Sequence, residues 1–215
     1  GSYPYLFNTK FAAEGLFEIY KKDTAYVNIS AQVGVRYLIN ARDYIGLSYT
    51  NQSGRIVSPN LAQIEATKRL PKEIDFTTQG IQLNVNLDRT NYSRNPSKGS
   101  YAYMNTIAGL RKVKPNSAIT GLESTTGFDF MALYDTFATQ QYQYRIQGKV
   151  GHFFPIMKQI VIHAMYNGGY ISGNNLLMNE LFQIGGYKIL RGYDEQSIFV
   201  NQYHIGTAEL RLLFD

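Results

Sequence analysis

The side chains capable of acid–base or ligand chemistry are scattered along this sequence. His152, His163 and His204 lack the short spacing of a metal motif and read as structural or solvated groups. Asp129 and Asp135 could share one strand face, but that spacing does not by itself make an acid–base pair. Cysteine, a Gly-x-Ser-x-Gly motif and a phosphate loop are all absent, so thiolate, nucleophile-elbow and P-loop chemistry have no basis. No catalytic residue, metal ligand or cofactor is assigned. The most informative charge is Arg191, set between Leu190 and Gly192-Tyr193. It lies downstream of Gly185-Gly186 and upstream of Thr207-Ala208-Glu209-Leu210-Arg211. An arginine held on a loop does ionic chemistry. Its planar fork can bind a carboxylate through two donors, and an unpaired buried charge is costly.

Strands must position that loop. Residues 25–39 alternate over their whole length. Val27, Ile29, Val33, Val35 and Tyr37 fall on one face, and Asn28, Ser30, Gln32 and Arg36 on the other. Similar alternation marks 9–21, 43–52, 75–88, 141–153, 157–170 and 202–214. Segments 100–113 and 127–138 read as strands from their Tyr, Phe and Thr content and flanking turns. Tight turns are expected at 21–24, 40–42, 138–141 and 154–157, and long loops at 53–74, 88–99, 113–126 and 171–201. Residues 60–69 suit a short helix within the first long loop. By parity, Glu209 and Arg211 share the polar face of the last strand, while Ala208, Leu210 and Leu212 take the other.

The chain has 215 residues, 18 Tyr, 12 Phe and no Trp, with a formal charge of +5. No apolar run is long enough for a membrane-spanning helix. The basic residues are dispersed, which disfavours nucleic acid as a partner. The polar faces carry Asn, Gln, Ser, Thr and Gly with isolated charges, as a water-filled lumen would, and the opposite faces carry almost no charge. Tyr26, Tyr37, Tyr44, Tyr49, Tyr142 and Tyr166 lie near strand ends, where an interfacial girdle would need them. The pattern gives an all-β, antiparallel meander, a transmembrane β-barrel. A passive porin-like or adhesin-like barrel and a soluble all-β binding protein alternate in the same way and stay open at this point.

The Gly185-Gly186 pair, the Leu190-Arg191-Gly192-Tyr193 tip and the inward Glu209 together resemble the lumenal loop and following strand of the Omp85 superfamily. Asn95-Pro96-Ser97-Lys98-Gly99 resembles the family's Pro-x-x-Gly lead into a middle strand. The resemblance implies a fragment of a sixteen-stranded barrel in the bacterial outer membrane, with the nine segments corresponding to its fourth to twelfth strands. It also implies a non-enzymatic role in inserting or translocating polypeptides. Arg191, Gly192, Tyr193 and Glu209 would then form a lumenal lock, with Tyr193 stacked on the wall and Gly185 and Gly186 shaping the loop base. Expected partners are membrane lipids, client outer-membrane or exported polypeptides, and other assembly subunits or a second copy at open sheet edges. Gly1-Ser2 reads as a cloning remnant and 1–215 as one excised barrel domain without POTRA domains, the family's periplasmic modules.

Overall fold

The computed structural model describes residues 1–3, 5–22, 25–122, 127–137, 140–187 and 189–213. A single antiparallel meander dominates. A two-residue strand β1 (Ser2–Tyr3) precedes β2 (Phe11–Lys22), β3 (Tyr26–Leu38), β4 (Tyr44–Ile56), β5 (Phe76–Asp88), β6 (Gly99–Val113), β7 (Gln141–Pro155) and β8 (Ile160–Ser172). A small hairpin, β9 (Phe182–Ile184) with β10 (Ile198–Val200), follows, and β11 (Gln202–Leu212) returns to pair with β8. Each strand of the main sheet bonds to its neighbour, with β1 and β11 at the edges. The long strands span 11 to 15 residues, enough to cross hydrocarbon at a tilt.

The register keeps the two side-chain sets apart. Val35 lies opposite Leu47, and Leu47 opposite Leu83, giving apolar rows on one face. Gly34, Ser48 and Gln82 form a row on the other. Phe17 and Val33 are each 64% exposed and Leu210 is 70% exposed, whereas Ser48, Thr50, Thr78, Gln82 and Asn84 are buried. This is the inverse of a soluble sandwich: grease outward, carboxamides and hydroxyls inward.

Connections at one end close over the sheet. The first long loop forms α1 (Leu61–Thr67), capped by the Asn60 side chain accepting from Gln63 N at 3.1 Å. The next forms α2 (Ser117–Thr120) and a 3-10 turn (Met131–Tyr134). Ile64, Ile74, Phe76, Ile119, Phe130 and Leu177 pack together beneath them as an apolar dome.

Four expectations are corrected. Segment 127–138 is not a strand where it is described. Phe130 and Tyr134 turn inward to fill the dome, which their aromatic content alone did not distinguish from a strand. Among the described residues eight long strands therefore stand where nine were expected, and counting back from the signature loop reaches one strand fewer. Losing that strand also reassigns the turns. The 89–98 connection lies at the same end as 39–43 and 156–159, and the bend after β2 lies at the long-loop end. Tyr26 and Tyr44 point inward rather than to a girdle: Tyr26 is buried, and Tyr44 lies under the Arg36 guanidinium. The turn residues 23–24 and 138–139, loop residues 123–126, Lys188 and Phe214 lie outside the described residues.

Candidate functional site

The 173–201 loop leaves β8 at the long-loop end and descends along the polar face. Its first anchor is Glu180, at the end of a 3-10 turn (Met178–Glu180). The Glu180 carboxylate accepts from Leu177 N at 2.9 Å and from Gln143 Nε2 at 3.1 Å. Arg111 Nε sits 2.8 Å from it, close enough to pair electrostatically but without the alignment of a hydrogen bond. The remaining Arg111 nitrogens donate to the carbonyls of Asn174 and Asn175 at 3.0 Å. Both charged side chains are almost fully buried, 2% and 3% exposed. Burial pushes the Glu180 carboxyl up from its ordinary value, against the pull of Arg111.

Below this anchor, the β9–β10 hairpin crosses the lumen. Phe182 packs edge-on against Tyr203 and under the Arg145 guanidinium, 4.2 Å from the ring centre. On the opposite wall, Gln183 donates to the Tyr26 hydroxyl at 2.7 Å and accepts from Tyr20 at 3.1 Å. Lys22 lies 4.0 Å over the Phe199 ring. The hairpin thus ties β2 and β3 to β7 and β11. A polar cavity of about 560 Å³ remains beside it, faced by Gln82, Asn84, Asn105 and Gln147.

The hairpin ends in a tight reversal. Gly185 and Gly186 have φ of 124° and 90°, and a Cβ on Gly186 would lie 2.1 Å from the Glu195 carboxyl carbon. Gly186 N donates to Tyr193 O at 3.1 Å, closing the tip. Arg191 Nη2 then reaches Glu209 Oε1 at 3.1 Å, and its Nε donates to Tyr187 O at 3.3 Å. Seven residues separate Gln202 from Glu209, so the tip lies on the order of 20 Å down the strand. Gly192 has φ of 92° at the turn. Tyr193 is 57% exposed and has no ring contact among the described residues, so the expected stacking on the wall is not seen.

Glu209 is seated by residues that the sequence did not single out as a site. Arg211 donates to Glu209 Oε2 through Nε at 3.0 Å and Nη2 at 2.7 Å. The same Nη2 lies 3.1 Å from His163 Nδ1. Arg211 has only donors, so in this contact Nδ1 is the accepting atom. The other ring nitrogen, Nε2, lies 3.0 Å from the Tyr101 hydroxyl. Nδ1 also approaches Glu209 Oε2 at 3.4 Å. His163 stacks on Phe153 at 4.2 Å with an 8° tilt. Tyr101 can cross to it because residue 151 is glycine; a Cβ there would lie 2.4 Å from the Tyr101 ring. Inward parity was the available signal for Arg211 and His163, but the cross-strand pairing Glu209↔His163 requires the register.

The pattern of the whole chain has known counterparts. The family model described as Omp85 superfamily domain matches residues 5–214. A crystal structure of BamA from Haemophilus ducreyi lacking POTRA domains 1–3 superposes with a TM-score of 0.57 at 16% identity. The superposition covers 92% of this chain and 37% of that one. A search of curated proteins finds no match. The strand meander and the family match agree: this chain belongs to the Omp85 superfamily.

Proposed function

We propose that this chain is the loop-holding part of an outer-membrane barrel that inserts or translocates client polypeptides without covalent chemistry, and that Arg191 and Glu209 clasp its lumenal loop. The observation that carries this reading is the 3.1 Å contact of Arg191 with Glu209, made far below the loop's point of departure. The loop occupies the lumen, which argues against passive conduction. Its clasp is accessible to water and screened, so it can open. Clients, membrane lipids and other assembly subunits are the partners in this reading. Unpaired backbone along the edge of β11 would accept further strands or a second copy.

The test is Arg191→Ala in the full-length protein, reconstituted into liposomes with a client barrel. Assembly, read by client folding on gels, is expected to slow up to about fivefold, the equivalent of ~1 kcal/mol. An unchanged rate with a normally folded variant contradicts the clasp.

A further inference from the structure

The outward face carries a feature that the lumenal loop does not explain. Near the short-turn end, two cross-strand rows lie side by side. One runs Leu87, Ala102, Val150, Tyr166, Gly206, and the other Ser100, His152, Ala164, Ala208, with Arg89 next to Ser100. Ala102, Ala164, Gly206 and Ala208 are too small to fill the surface between the Phe154, Ile162, Leu210 row and the bulk of Val150 and Tyr166. A groove of about 940 Å³ results. It is mostly apolar along its length, and it is polar at one end, where Ser100 Oγ meets His152 Nδ1 at 2.6 Å and Arg89 projects.

The charge around that end is one-sided. On the connections at the short-turn side lie Lys10, Arg42, Arg89, Arg94, Lys98 and Lys158, against Asp43 there and Asp88 at the end of β5 among the described residues. Both acids are already engaged. Asp88 pairs with Arg42 at 3.5 Å, and Asp43 accepts from Asp88 N and Asn40. The Arg89 guanidinium is 79% exposed and only 3.9 Å from Asp43 at its nearest, so its fork is available to an anion. In an outer-membrane barrel the apolar band meets acyl chains, and short turns mark the periplasmic headgroup level. A cation at that level attracts anionic lipid by about 1 kcal/mol.

We infer that this groove binds an anionic glycerophospholipid of the adjoining leaflet, its phosphate on Arg89 beside Ser100 and His152, and one acyl chain along Ala102, Ala164, Gly206 and Ala208. The barrel would thereby hold one annular lipid in place on the wall directly behind the Glu209 seat, since Ala208 and Glu209 are adjacent on opposite faces. The binding follows from the outward surface alone and does not depend on the clasp.

The experiment uses the full-length protein in maltoside detergent, with dioleoyl phosphatidylglycerol as probe and retained lipid counted by native mass spectrometry. Arg89→Ser should lower retention about fivefold, what one interfacial cation contributes. Filling the groove with Gly206→Leu and Ala164→Leu should lower it comparably. A Cβ at Gly206 has nothing within 4 Å, so the new side chain enters the groove without displacing the sheet. Ala208→Met gives a second filling variant if that pair fails to fold. Dioleoyl phosphatidylcholine should be retained less than the anionic lipid. Loss with Arg89→Ser alone, together with competition by glycerol phosphate, would reduce the site to a headgroup patch and overturn the groove. Loss with the filling variants alone would overturn the anionic selection, and retention unchanged by both kinds of variant would overturn the proposal entirely. None of these outcomes bears on assembly activity, which reports on the clasp separately.

Discussion

The loop's two charged anchors, at its mouth and at its tip, use the same chemistry in opposite solvents. Arg111 and Glu180 are 2% and 3% exposed, and the remaining donors and acceptors around them are largely spent on protein. Arg191 and Glu209 are 75% and 22% exposed, and among the described residues Arg191 has a single carboxylate partner. A desolvated pair stands or falls as a unit, because removing one charge strands the other. An exposed pair contributes about 0–1 kcal/mol and exchanges readily with water. In the proposed reading, the difference would give the loop a fixed hinge at the mouth and a releasable end near the opposite rim. Glu209 itself does not move in this account, because Arg211, His163, Phe153 and Tyr101 hold it from the wall side.

The comparison breaks most visibly at the mouth. Glu180→Ala leaves Arg111 buried and unpaired and should cost about 3–5 kcal/mol. Thermal unfolding of the full-length protein in detergent checks it, and replacing both partners by Met should recover most of the loss. His163→Ala removes the Phe153 stack and the acceptor for Arg211, and should cost about 1–3 kcal/mol. Loosening of Arg211 around Glu209 would appear in the same variant as faster backbone hydrogen exchange in β11. A smaller effect is expected at the turn between β3 and β4, five strands from β11 in the sheet order. The N–H of Asp88, then the Asn40 side chain, hold the Asp43 carboxyl below the usual carboxylate range. The native turn therefore binds a proton less readily than the unfolded chain. Its contribution is present above the ordinary carboxylate value and lost as pH falls through the lowered one. Acid titration of stability should be shallower in Asp43→Asn than in the parent, and the mouth and tip should not sense the change.

Much of the wall was legible in the sequence. Residues 25–39 alternate because one face meets lipid and the other water, and that contrast survives in a single strand without its neighbours. The dome was not legible. Phe128 and Phe130 look like strand residues until Ile64, Ile119 and Leu177, drawn from three different loops, supply a core for them. Glu180 gave no signal either, since its partner Arg111 lies on a distant strand and the loop around it has no period. Glu209 and Arg211 were placed inward by parity alone, but linking Arg191 to Glu209 needed the family resemblance as well. His163 shows the limit of parity: its face was readable, but its place between Arg211, Phe153 and Tyr101 depends on register across three strands.

The central claim is that Arg191 and Glu209 act together as a releasable clasp. A double-mutant cycle on client assembly tests it most directly, using Arg191→Ala, Glu209→Ala and the pair in the reconstituted full-length protein at low and high salt. The account predicts that the double variant is no slower than Glu209→Ala alone, and that high salt slows the parent toward Arg191→Ala while leaving that variant unchanged. Effects that simply add, or an assembly rate indifferent to both substitutions and to salt, would contradict it.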